Sequence, residues 1–459
     1  MNLAIGQNPL IIGLGQTGQS CIDYFESIGQ PYHLMDSRES VPNAESFGSE
    51  LCQSITFNGL AGDISHHIDF LSKNAISALV VSPGVRVKGP LFDAAKALKL
   101  EVVGDIELFA RLVHSQPNAN VIAITGSNGK STVTQLLHDL MLKAGMSVAM
   151  GGNIGIPVLQ LINDDTEWYV LEISSFQLET TQSLAPVIAT VLNVTEDHLD
   201  RYDSFDHYKN TKLTLLDLAE HQIIDTDELP ELVNRYSNAN TFSLTQPDNE
   251  ELYWDSANSE ISFKPSPDQL FRIDMKQAKL PGLHNVRNVM TVLSIWQLAN
   301  FEWSVELSEF LYQWPGLAHR CAYVTSINNV DFYNDSKATN VGATKAAIKG
   351  FASTTAAPLI LIAGGVGKDA DFKPLKKMFK KHIKQLVLLG EDAEVIQRQA
   401  AKNVNSVIVN EMSDAVKQAY SVSEAGDIIL LSPACASLDM YKNYIQRGED
   451  FVHQVEALQ

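Results

Sequence analysis

One stretch constrains this chain more than any other: Val-Ile-Ala-Ile-Thr-Gly-Ser-Asn-Gly-Lys-Ser-Thr, residues 121–132. Residues 121–125 form a short apolar run typical of a buried strand, and a glycine-containing turn follows. The apolar residues after the turn, at 133, 136, 137, 140 and 144, have the spacing of one helical face. A strand, a glycine-containing turn and a helix together form a phosphate site, because backbone N–H groups at a helix N-terminus attract anions. The stretch therefore predicts an α/β fold with a phosphate loop.

The glycine spacing of this loop departs from the usual pattern of Gly, four residues and Gly-Lys-Ser/Thr. Ile124 stands where the first glycine is expected, and Gly126 lies two residues nearer. We expect Lys130 to reach terminal phosphates as a point charge, and the hydroxyl of Ser131 or Thr132 to bind a magnesium ion. The alternative is a tight strand–helix turn with a surface lysine. The predicted loop residues are Gly126, Ser127, Asn128, Gly129, Lys130, Ser131 and Thr132.

Length and charge limit the possible classes of protein. A chain of 459 residues predicts two to four domains, which we place at 1–108, 109–316 and 317–459. The net charge of −20 disfavours binding to nucleic acid or to anionic membranes. The sequence shows neither a signal peptide nor an apolar run of about 20 residues that could span a membrane. The four cysteines are scattered, so we expect reduced thiols and a cytoplasmic location. We also expect a monomer.

The first predicted domain begins with a strand that enters the glycine pattern Gly13-Leu-Gly-Gln-Thr-Gly18. A second strand, Tyr32 to Met35, ends at Asp36, where an acid could bind a ribose. Further strands are predicted at 78–81, before Ser82-Pro-Gly84, and at 101–103. Three interpretations stay open: a dinucleotide site, a Rossmann-like turn that needs glycines for packing, and a site for a nucleotide-sugar diphosphate.

The central domain carries candidate metal ligands near the phosphate loop. The apolar strand that begins at Trp168 ends at Glu172, a position where phosphate-loop enzymes place a carboxylate for magnesium. A glycine-rich loop is predicted around Asn153, at 151–155, and a strand at 187–194 leads to a polar loop with His198. Helices are predicted at 208–219 and 289–298, and the polar region 245–267 predicts a hairpin.

The third domain again alternates strands with helices, which predicts a parallel sheet. Strands are expected at 359–363, 386–389 and 428–431, and another begins at Val330. The polar loops after these strands carry the candidate residues of this domain. Cys435 has no histidine partner nearby in the sequence, so we interpret it as a small buried turn residue.

Several of these motifs resemble those of the muramyl ligases, the amide-forming enzymes of peptidoglycan precursor synthesis. The resemblance is carried by the loop 125–132, by Asp-His-Leu-Asp-Arg-Tyr at 197–202, and by Tyr-Lys-Asn-Thr-Lys-Leu at 208–213. Asp-Ser-Lys-Ala-Thr-Asn at 335–340 and Ser-Pro-Ala-Cys-Ala-Ser-Leu-Asp at 432–439 resemble the members that add D-glutamate. The resemblance covers nearly the whole chain. It implies an N-terminal Rossmann-like UDP-binding domain, a central ATP-binding parallel sheet and a C-terminal Rossmann-like domain that binds the amino acid.

The resemblance also implies which residues bind each substrate. The UDP substrate would be bound by Gly15, Gln16, Thr17, Ser37, Arg38, Ser82, Gly84, Asn153 and His198. Outside the phosphate loop, ATP would be bound by Asn285, Asn288, Arg320, Asp335 and Lys337. D-glutamate would be bound by Thr339, Lys368, Ser437, Leu438 and Tyr444.

The chemistry implied by the resemblance is ATP-dependent addition of D-glutamate to UDP-N-acetylmuramoyl-L-alanine through an acyl phosphate. Lys130, Glu172, His198 and Lys212 would be the catalytic residues, with Lys212 carbamylated. Two magnesium ions are implied, one at Ser131 and Glu172 and the other at His198 and Lys212. Rival interpretations are a nicotinamide oxidoreductase, a non-enzymatic nucleotide-gated binding protein and a folate-type amide ligase.

Overall fold

The computed structural model describes residues 5–41, 47, 49–198, 201–245, 251–280, 282–354, 357–368, 370–402 and 404–458. The contacts divide the chain into two compact units. Unit 1 contains the residues up to 194 together with 198–241, and unit 2 contains 195–197 together with the residues from 242 onward. Each unit is described separately. No helix in the described ranges is long and apolar enough to cross a membrane.

The first sheet of unit 1 is a parallel, doubly wound sheet. Its strands are β1 (Pro9–Ile12), β2 (Tyr32–Met35), β3 (Cys52–Thr56), β4 (Ala78–Val81) and β5 (Glu101–Val103). Its helices are α1 (Gln16–Ser27), α2 (Ile64–Lys73), α3 (Pro90–Ala97) and α4 (Asp105–Val113). The strand order β3-β2-β1-β4-β5 changes direction between β1 and β4. Ligands of such sheets bind beside the loops at this point, which here follow β1 and β4.

The second sheet of unit 1 carries the phosphate loop. Its strands are β6 (Asn120–Thr125), β7 (Val148–Gly152), β8 (Trp168–Glu172), β9 (Ile188–Val191), β10 (His221–Asp225) and β11 (Asn240–Phe242). Its helices are α5 (Lys130–Lys143), α6 (Ser175–Leu178) and α7 (Phe205–Asp217). The order is β11-β10-β9-β6-β8-β7, with parallel pairing from β10 to β7. The loops after β6, β8 and β9 therefore emerge side by side at one edge.

Helix α4 joins the two sheets of unit 1. Ile106, Leu108 and Phe109 are buried in one hydrophobic cluster that includes residues of both sheets. The Phe109 ring meets the Tyr169 ring of β8 edge to face, with ring centroids 5.2 Å apart. The buried Glu107 accepts hydrogen bonds from the backbone N–H groups of Gln182 and Ser183. The predicted boundary at residue 108 falls inside this helix.

Unit 2 begins with a small antiparallel sheet of β12 (Leu252–Asp255), β13 (Glu260–Ser266) and β14 (Gln269–Asp274). The helices α8 (Leu283–Leu298) and α9 (Val305–Gln313) follow it. The core of this region is aromatic: the Trp303 ring packs edge to face against Trp296 and Phe263.

The last sheet is parallel except for its antiparallel edge strand. Its strands are β15 (Ala322–Ile327), β16 (Val330–Asn334), β17 (Leu359–Gly364), β18 (Ile383–Leu389), β19 (Ser406–Ile408) and β20 (Ile428–Leu431). Its helices are α10 (Val341–Thr354), α11 (Lys376–His382), α12 (Ala393–Ala400), α13 (Met412–Ser421) and α14 (Tyr444–Glu456). The order is β15-β16-β20-β17-β18-β19, with β15 antiparallel to β16. The loops after β16, β20 and β17 are therefore neighbours.

Some local predictions need correction. Gly151 and Gly152, predicted in a loop, end strand β7, where the close approach of the Glu172 carbonyl leaves no room for a Cβ at residue 152. The helix predicted from residue 208 begins at Phe205, because the Ser204 side chain caps it by accepting from His207 N–H. The predicted hairpin at 245–267 falls partly on residues 246–250, outside the described residues, and a third strand, β14, completes a sheet there.

Candidate active site

The phosphate loop lies between β6 and α5 and has the backbone conformation that its glycines allow. Gly126 has φ 149° and Gly129, the N-cap of α5, has φ 88°. Both angles lie where residues with a Cβ are strained. A Cβ at residue 126 would also lie 3.1 Å from Leu192 Cβ. The loop therefore places its backbone directly before the N-terminus of α5, as an anion site requires.

Asn193, which sequence reasoning did not single out, holds this loop in place. Its side-chain oxygen accepts from Asn128 N–H at 2.9 Å, and its Nδ2 donates to the Asn128 carbonyl at 3.0 Å. Its own carbonyl accepts from Ser127 N–H at 2.9 Å. Asn193 follows β9, which pairs with β6, so the strand pairing brings it beside the loop. An asparagine just after a buried strand was the only sequence signal for this role.

Two predicted catalytic lysines meet at one carbonyl oxygen. Lys130 Nζ donates to the Gly126 carbonyl at 2.8 Å and to the Ser127 carbonyl at 3.1 Å. Lys212 Nζ, from α7, donates to the Gly126 carbonyl at 3.0 Å. Lys212 is only 2% exposed, and its ammonium lies 4.9 Å from the ring centroid of Tyr208. The structure thus places two cationic groups at the phosphate loop.

Glu172 is the last residue of β8, where it pairs with Ile124 of β6. One of its two carboxylate oxygens is available to a ligand. Asn153 Nδ2 donates to Oε1 at 2.7 Å, so these two predicted site residues lie together. The other oxygen, Oε2, is buried and has no hydrogen-bond partner within the described residues. A buried carboxylate oxygen without a partner is costly unless a ligand satisfies it. The donor set therefore fits a magnesium ion, which prefers carboxylate oxygens.

The remaining predicted metal ligands do not form a complete protein cage. Within the described ranges, no group of three or more His, Cys, Asp or Glu side chains is arranged to hold a metal ion. The His198 ring packs edge to face on Phe176 with centroids 4.8 Å apart, and its backbone φ is 54°. Ser131 and Thr132 are buried in the first turn of α5. Magnesium usually keeps several waters and phosphate oxygens as ligands, so this arrangement is compatible with nucleotide-borne magnesium.

The glycine turn after β1 packs against the loop after β4, as the strand order requires. Ser82 Oγ donates to the Gly13 carbonyl at 2.7 Å. A Cβ at Gly18 would lie 2.1 Å from the same carbonyl oxygen, whereas Cβ atoms at Gly15 and Gly84 would meet no atom of the described residues within 4 Å. Gly18 is thus needed for packing, while Gly15 and Gly84 leave open space for a ligand. The exposed predicted residues here are Gly15, Gln16, Ser37, Arg38 and Gly84, and the half-buried ones are Thr17 and Ser82.

Asp36 organises this turn from within the protein. Its carboxylate accepts from Leu14 N–H at 2.8 Å and forms two 2.8 Å hydrogen bonds with the Arg38 guanidinium. Its hydrogen bonds with the Arg38 side chain are the main reason why the pKa of Asp36 falls to about 2, although burial opposes the shift. Both carboxylate oxygens of Asp36 therefore already accept hydrogen bonds from the protein. This pairing disfavours the interpretation of Asp36 as a ribose ligand of a dinucleotide.

Arg201 connects the loop after β4 with the second sheet of unit 1. Its guanidinium donates to the carbonyls of Pro83 at 2.7 Å and Val85 at 3.2 Å. The same group pairs with Glu179 at 2.8 Å and lies 3.9 Å from the ring centroid of Phe176. The sequence did not reveal these contacts, because Arg201 lies 118 positions after Pro83 and 116 positions after Val85.

In unit 2, the loop after β16 is held by Asp335. Its carboxylate accepts from Cys321 N–H at 3.1 Å and from Ser432 Oγ at 2.8 Å. Burial raises the pKa of Asp335 to about 7, although hydrogen bonds from Ser432 and Cys321 and the charge of Arg320 oppose the shift. Lys337 Nζ lies 3.9 Å from the ring centroid of Tyr444, so two predicted ligand residues are close together.

The other predicted residues of unit 2 vary in exposure. Asn285 and Asn288 are buried within α8, where Asn288 Nδ2 donates to Asn285 Oδ1 at 3.1 Å, and Gly282 is the N-cap. The two asparagines therefore do not cap the helix. Ser437 is buried, Thr339 is half-buried, and Leu438 is 66% exposed. Lys368 is exposed and has φ 52°.

Comparison with known proteins identifies the family. Family models match three consecutive segments: a MurD-like N-terminal domain at 7–104, a Mur ligase middle domain at 124–296 and a Mur ligase glutamate ligase domain at 319–435. A UDP-N-acetylmuramoylalanine–D-glutamate ligase of Shewanella violacea is 40% identical over 456 residues, which are 99% of this chain and 97% of that protein. This chain belongs to the Mur ligase family. The three-domain α/β organisation predicted from sequence is confirmed.

Other Mur ligases support the assignment. A UDP-N-acetylmuramoylalanine–D-glutamate ligase of Coxiella burnetii is 38% identical over 454 residues, 98% of each chain. The solved structure of the MurF ligase of Thermotoga maritima in complex with ADP has a TM-score of 0.59 at 15% identity, covering 94% of this chain and 96% of that one. At this identity the structural match shows a shared fold. The boundaries predicted at 108 and 316 stay predictions, although the matched segments end and begin near them.

Proposed function

We propose that this chain joins D-glutamate to UDP-N-acetylmuramoyl-L-alanine in a reaction driven by ATP, as a step of peptidoglycan precursor synthesis. The observation that carries the proposal is the near-full-length similarity to relatives named for this reaction. The phosphate loop with Lys130, the open glycine turn at Gly15 and the loops of the last sheet supply sites for three substrates.

The reaction proceeds in two steps. An oxygen of the L-alanyl carboxylate attacks the γ-phosphorus of ATP, the bond between this phosphorus and the oxygen that bridges to the β-phosphate breaks, and ADP leaves. The amine of D-glutamate then attacks the acyl carbon and loses a proton to solvent, and the bond between that carbon and the phosphate oxygen breaks to release phosphate. Bringing two anions together is the main obstacle, so positioning and positive charge do most of the catalytic work.

Lys130 and the start of α5 would bind the phosphates of ATP. In the structure the Lys130 ammonium donates to loop carbonyls, and phosphate oxygens would replace these neutral acceptors with charged ones. Hydrogen bonds to charged acceptors are roughly twice as strong. Asn285 and Asn288 would bind the adenine, and Arg320, Asp335 and Lys337 would contribute to nucleotide binding.

Glu172 and Ser131 would hold one magnesium ion, and His198 with Lys212 would hold a second. Bound magnesium would neutralise charge on the phosphate oxygens. The support is the Glu172 Oε2 atom, which is buried and finds no hydrogen-bond partner in the part of the chain that the structure describes. Asn153 fixes the other oxygen of the same carboxylate and so orients it.

Lys212 would serve its ion as a carbamate. An ordinary lysine has a pKa of about 10.4, so about one amine in a thousand is neutral and reactive near pH 7.4. The site must therefore favour the carbamate once it forms, and an adjacent magnesium ion would do so by binding its oxygens. Burial of Lys212 beside the Lys130 ammonium supports the modification, because converting one of two neighbouring cations to an anion removes their repulsion.

The UDP substrate would lie on the glycine turn of the first sheet, bound by Gly15, Gln16, Thr17, Ser37, Arg38, Ser82 and Gly84, with Asn153 and His198 nearer its reacting end. D-glutamate would be bound by Thr339, Lys368, Ser437, Leu438 and Tyr444. The enzyme would work in the cytoplasm, since all three substrates are small soluble molecules, and we propose that it works there as a monomer.

Phosphate release measured with UDP-N-acetylmuramoyl-L-alanine and ATP tests the proposal. Release should require D-glutamate and should be absent with L-glutamate or L-lysine. Equal release with L-lysine would indicate a different member of the family, and release with a folate substrate would favour the folate-type ligase. Tight NADH binding without phosphate release would favour the oxidoreductase, and ATP binding without ADP formation would favour a binding protein.

A further inference from the structure

The buried arginine of α14, Arg447, is not explained by the proposed substrate contacts. It is 2% exposed, although arginine is rarely buried without a partner. No ion pair in the described part of the chain involves it. Burial lowers its pKa to about 10, so the guanidinium still carries its charge at neutral pH.

The five N–H bonds of this guanidinium all find acceptors, which lie on the loops after β16 and β20 and at the last residue of β17. Nε donates to Ser336 Oγ at 3.0 Å, and Nη2 donates to the carbonyls of Ser336 at 2.8 Å and Cys435 at 3.0 Å. Nη1 donates to the carbonyls of Gly364 at 3.4 Å and Ala436 at 3.3 Å. Arginine has five donors in a fixed planar arrangement, so these acceptors match its full capacity.

The loops after β16, β17 and β20 extend from three adjacent strands of the last sheet. They also contact each other through backbone hydrogen bonds of 2.9 Å in both directions between Val366 and Ala436. A Cβ at Gly365 would lie 2.1 Å from the Ala436 carbonyl oxygen and 3.2 Å from Arg447 Nη1. The loops are therefore packed tightly around the guanidinium, and their conformations depend on one another.

Each loop carries residues of the proposed amino-acid site. Thr339 lies in the first loop, Lys368 in the second and Ser437 in the third. We propose that Arg447 is a positioning residue that sets the relative placement of these three loops and thereby the affinity for the amino-acid substrate. The inference rests on the proposed function for the identity of that substrate, but the structural role of Arg447 can be tested without it.

The decisive variants are Arg447→Lys and Arg447→Ala. Lysine keeps the charge but has three donors and no planar fork, so several carbonyls would lose their partner. We expect the KM for D-glutamate to rise about tenfold or more in both variants, the effect of losing at least one charge-assisted hydrogen bond, with the KM for ATP changed less than about twofold. Methylguanidinium added to Arg447→Ala should restore the KM for D-glutamate, and it should not help Arg447→Lys, whose side chain fills the space.

Two control variants separate positioning from general destabilisation. Asn443→Ala removes the N-cap of α14, where the Asn443 side chain accepts from Gln446 N–H, and leaves the guanidinium intact. Arg398→Ala removes an exposed arginine of α12. Neither should change the KM for D-glutamate. A similar rise in Asn443→Ala would show that the effect comes from loosening the helix and would overturn the proposal.

Hydrogen–deuterium exchange of the substrate-free protein tests the positioning role independently of activity. Exchange in Arg447→Lys should accelerate at 335–340, 364–368 and 432–440, and should stay unchanged in unit 1. Unchanged exchange at all three loops, or an unchanged KM for D-glutamate in both arginine variants, would contradict the proposal. If the wild-type protein showed no turnover with D-glutamate, the proposed function would fail, and the exchange result would still decide the role of Arg447.

Discussion

At the scale of single residues, the site is defined by two lysines at one backbone carbonyl and by one carboxylate. Lys130 and Lys212 both donate to the Gly126 carbonyl, and one buried oxygen of Glu172 has no hydrogen-bond partner among the residues that the structure describes. A phosphate group would supply stronger acceptors for the cations, and a metal ion would supply the missing partner for the carboxylate. The three residues therefore have the charges that a nucleotide with magnesium requires.

Lys130→Ala should reduce turnover by about a hundredfold or more, because a positive charge at the transferring phosphate is lost. The fold should persist, since the hydrogen bonds of Lys130 to Gly126 and Ser127 lie within its own loop. Steady-state rates together with circular dichroism would check both statements. The matched control is Lys99→Ala, which removes an exposed lysine outside the phosphate loop. A folded Lys130→Ala with near-normal rates would refute the assignment.

Lys212→Ala should be nearly inactive and partly rescued by acetate or formate, because a small carboxylate can occupy the space of the carbamate. Lys212→Arg should not be rescued, since the cation remains. Rates measured across a series of acid concentrations would show the difference, and mass spectrometry of the native protein would detect added carbon dioxide. Full activity of Lys212→Ala without any acid would end the carbamate hypothesis.

Asp335→Asn should remove part of the pH dependence of stability. The pKa of Asp335 is about 7 in the folded protein and near the ordinary 3.8 when unfolded. Between these values the folded state holds a proton that the unfolded state has lost, so stability falls as pH rises through the window. As pH rises through this window, the free energy of unfolding of the variant relative to that of the wild type should increase by at most about 1.4 kcal/mol per pH unit. Urea unfolding at pH 5 and pH 7 would measure the gain, and a constant difference would contradict it.

At the scale of elements, the glycine turn between β1 and α1 combines two different requirements. Gly18 packs against the Gly13 carbonyl, where a Cβ would lie 2.1 Å from the oxygen, so the fold requires a glycine there. Gly15, three residues earlier, has no atom within 4 Å of an added Cβ. The same short motif therefore contains one glycine that serves packing and another that serves access to a ligand.

Gly18→Ala should lower the free energy of unfolding by about 1–3 kcal/mol, the cost typical of overpacking. Gly15→Ala should leave stability nearly unchanged and weaken binding of the UDP substrate, because the added methyl group would occupy the space that the ligand approaches. Thermal unfolding and calorimetric titration of the two variants would separate these effects. Equal loss of stability in both would show that residue 15 also serves packing.

Buried parallel strands could be predicted from sequence almost to the residue. The apolar runs at 32–35, 78–81 and 428–431 match β2, β4 and β20, since strands buried on both faces carry no alternation to confuse their limits. The edge strands β3, β7 and β19 were not predicted, because most of their residues are only partly buried or exposed and give no continuous apolar run. The strand and the helix on either side of the phosphate loop could also be predicted, because they depend on a local pattern.

The supporting residues of the site could not be predicted. Asn193, Arg201 and Arg447 act through partners that lie far away in sequence and meet them only in the folded sheets. A lone asparagine or arginine in a sequence has no spacing that reveals such a contact. Asp36 shows the converse problem: its position suggested a ribose ligand, and the structure gives its oxygens to Leu14 and Arg38.

At the scale of the whole molecule, the chain has two glycine-containing loops of the kind that bind nucleotides, and a cluster of polar loops on the last sheet. The first glycine-containing loop follows β1, and the second follows β6 in a different sheet. A single dinucleotide site would use one of them and leave the second unexplained. A ligase with a UDP-linked substrate, ATP and an amino acid uses all three sets of loops, which is why the proposed reaction accounts for the whole chain.

Oxygen transfer during turnover tests the central claim most directly. The enzyme is given ATP, D-glutamate and UDP-N-acetylmuramoyl-L-alanine labelled with ¹⁸O in its carboxylate, and the released phosphate is examined by mass spectrometry. If the acyl phosphate forms, the released phosphate carries one ¹⁸O atom from the carboxylate, and we expect labelled phosphate with D-glutamate but not with L-glutamate. Unlabelled phosphate, or equal labelling with L-glutamate in place of D-glutamate, would contradict the central claim.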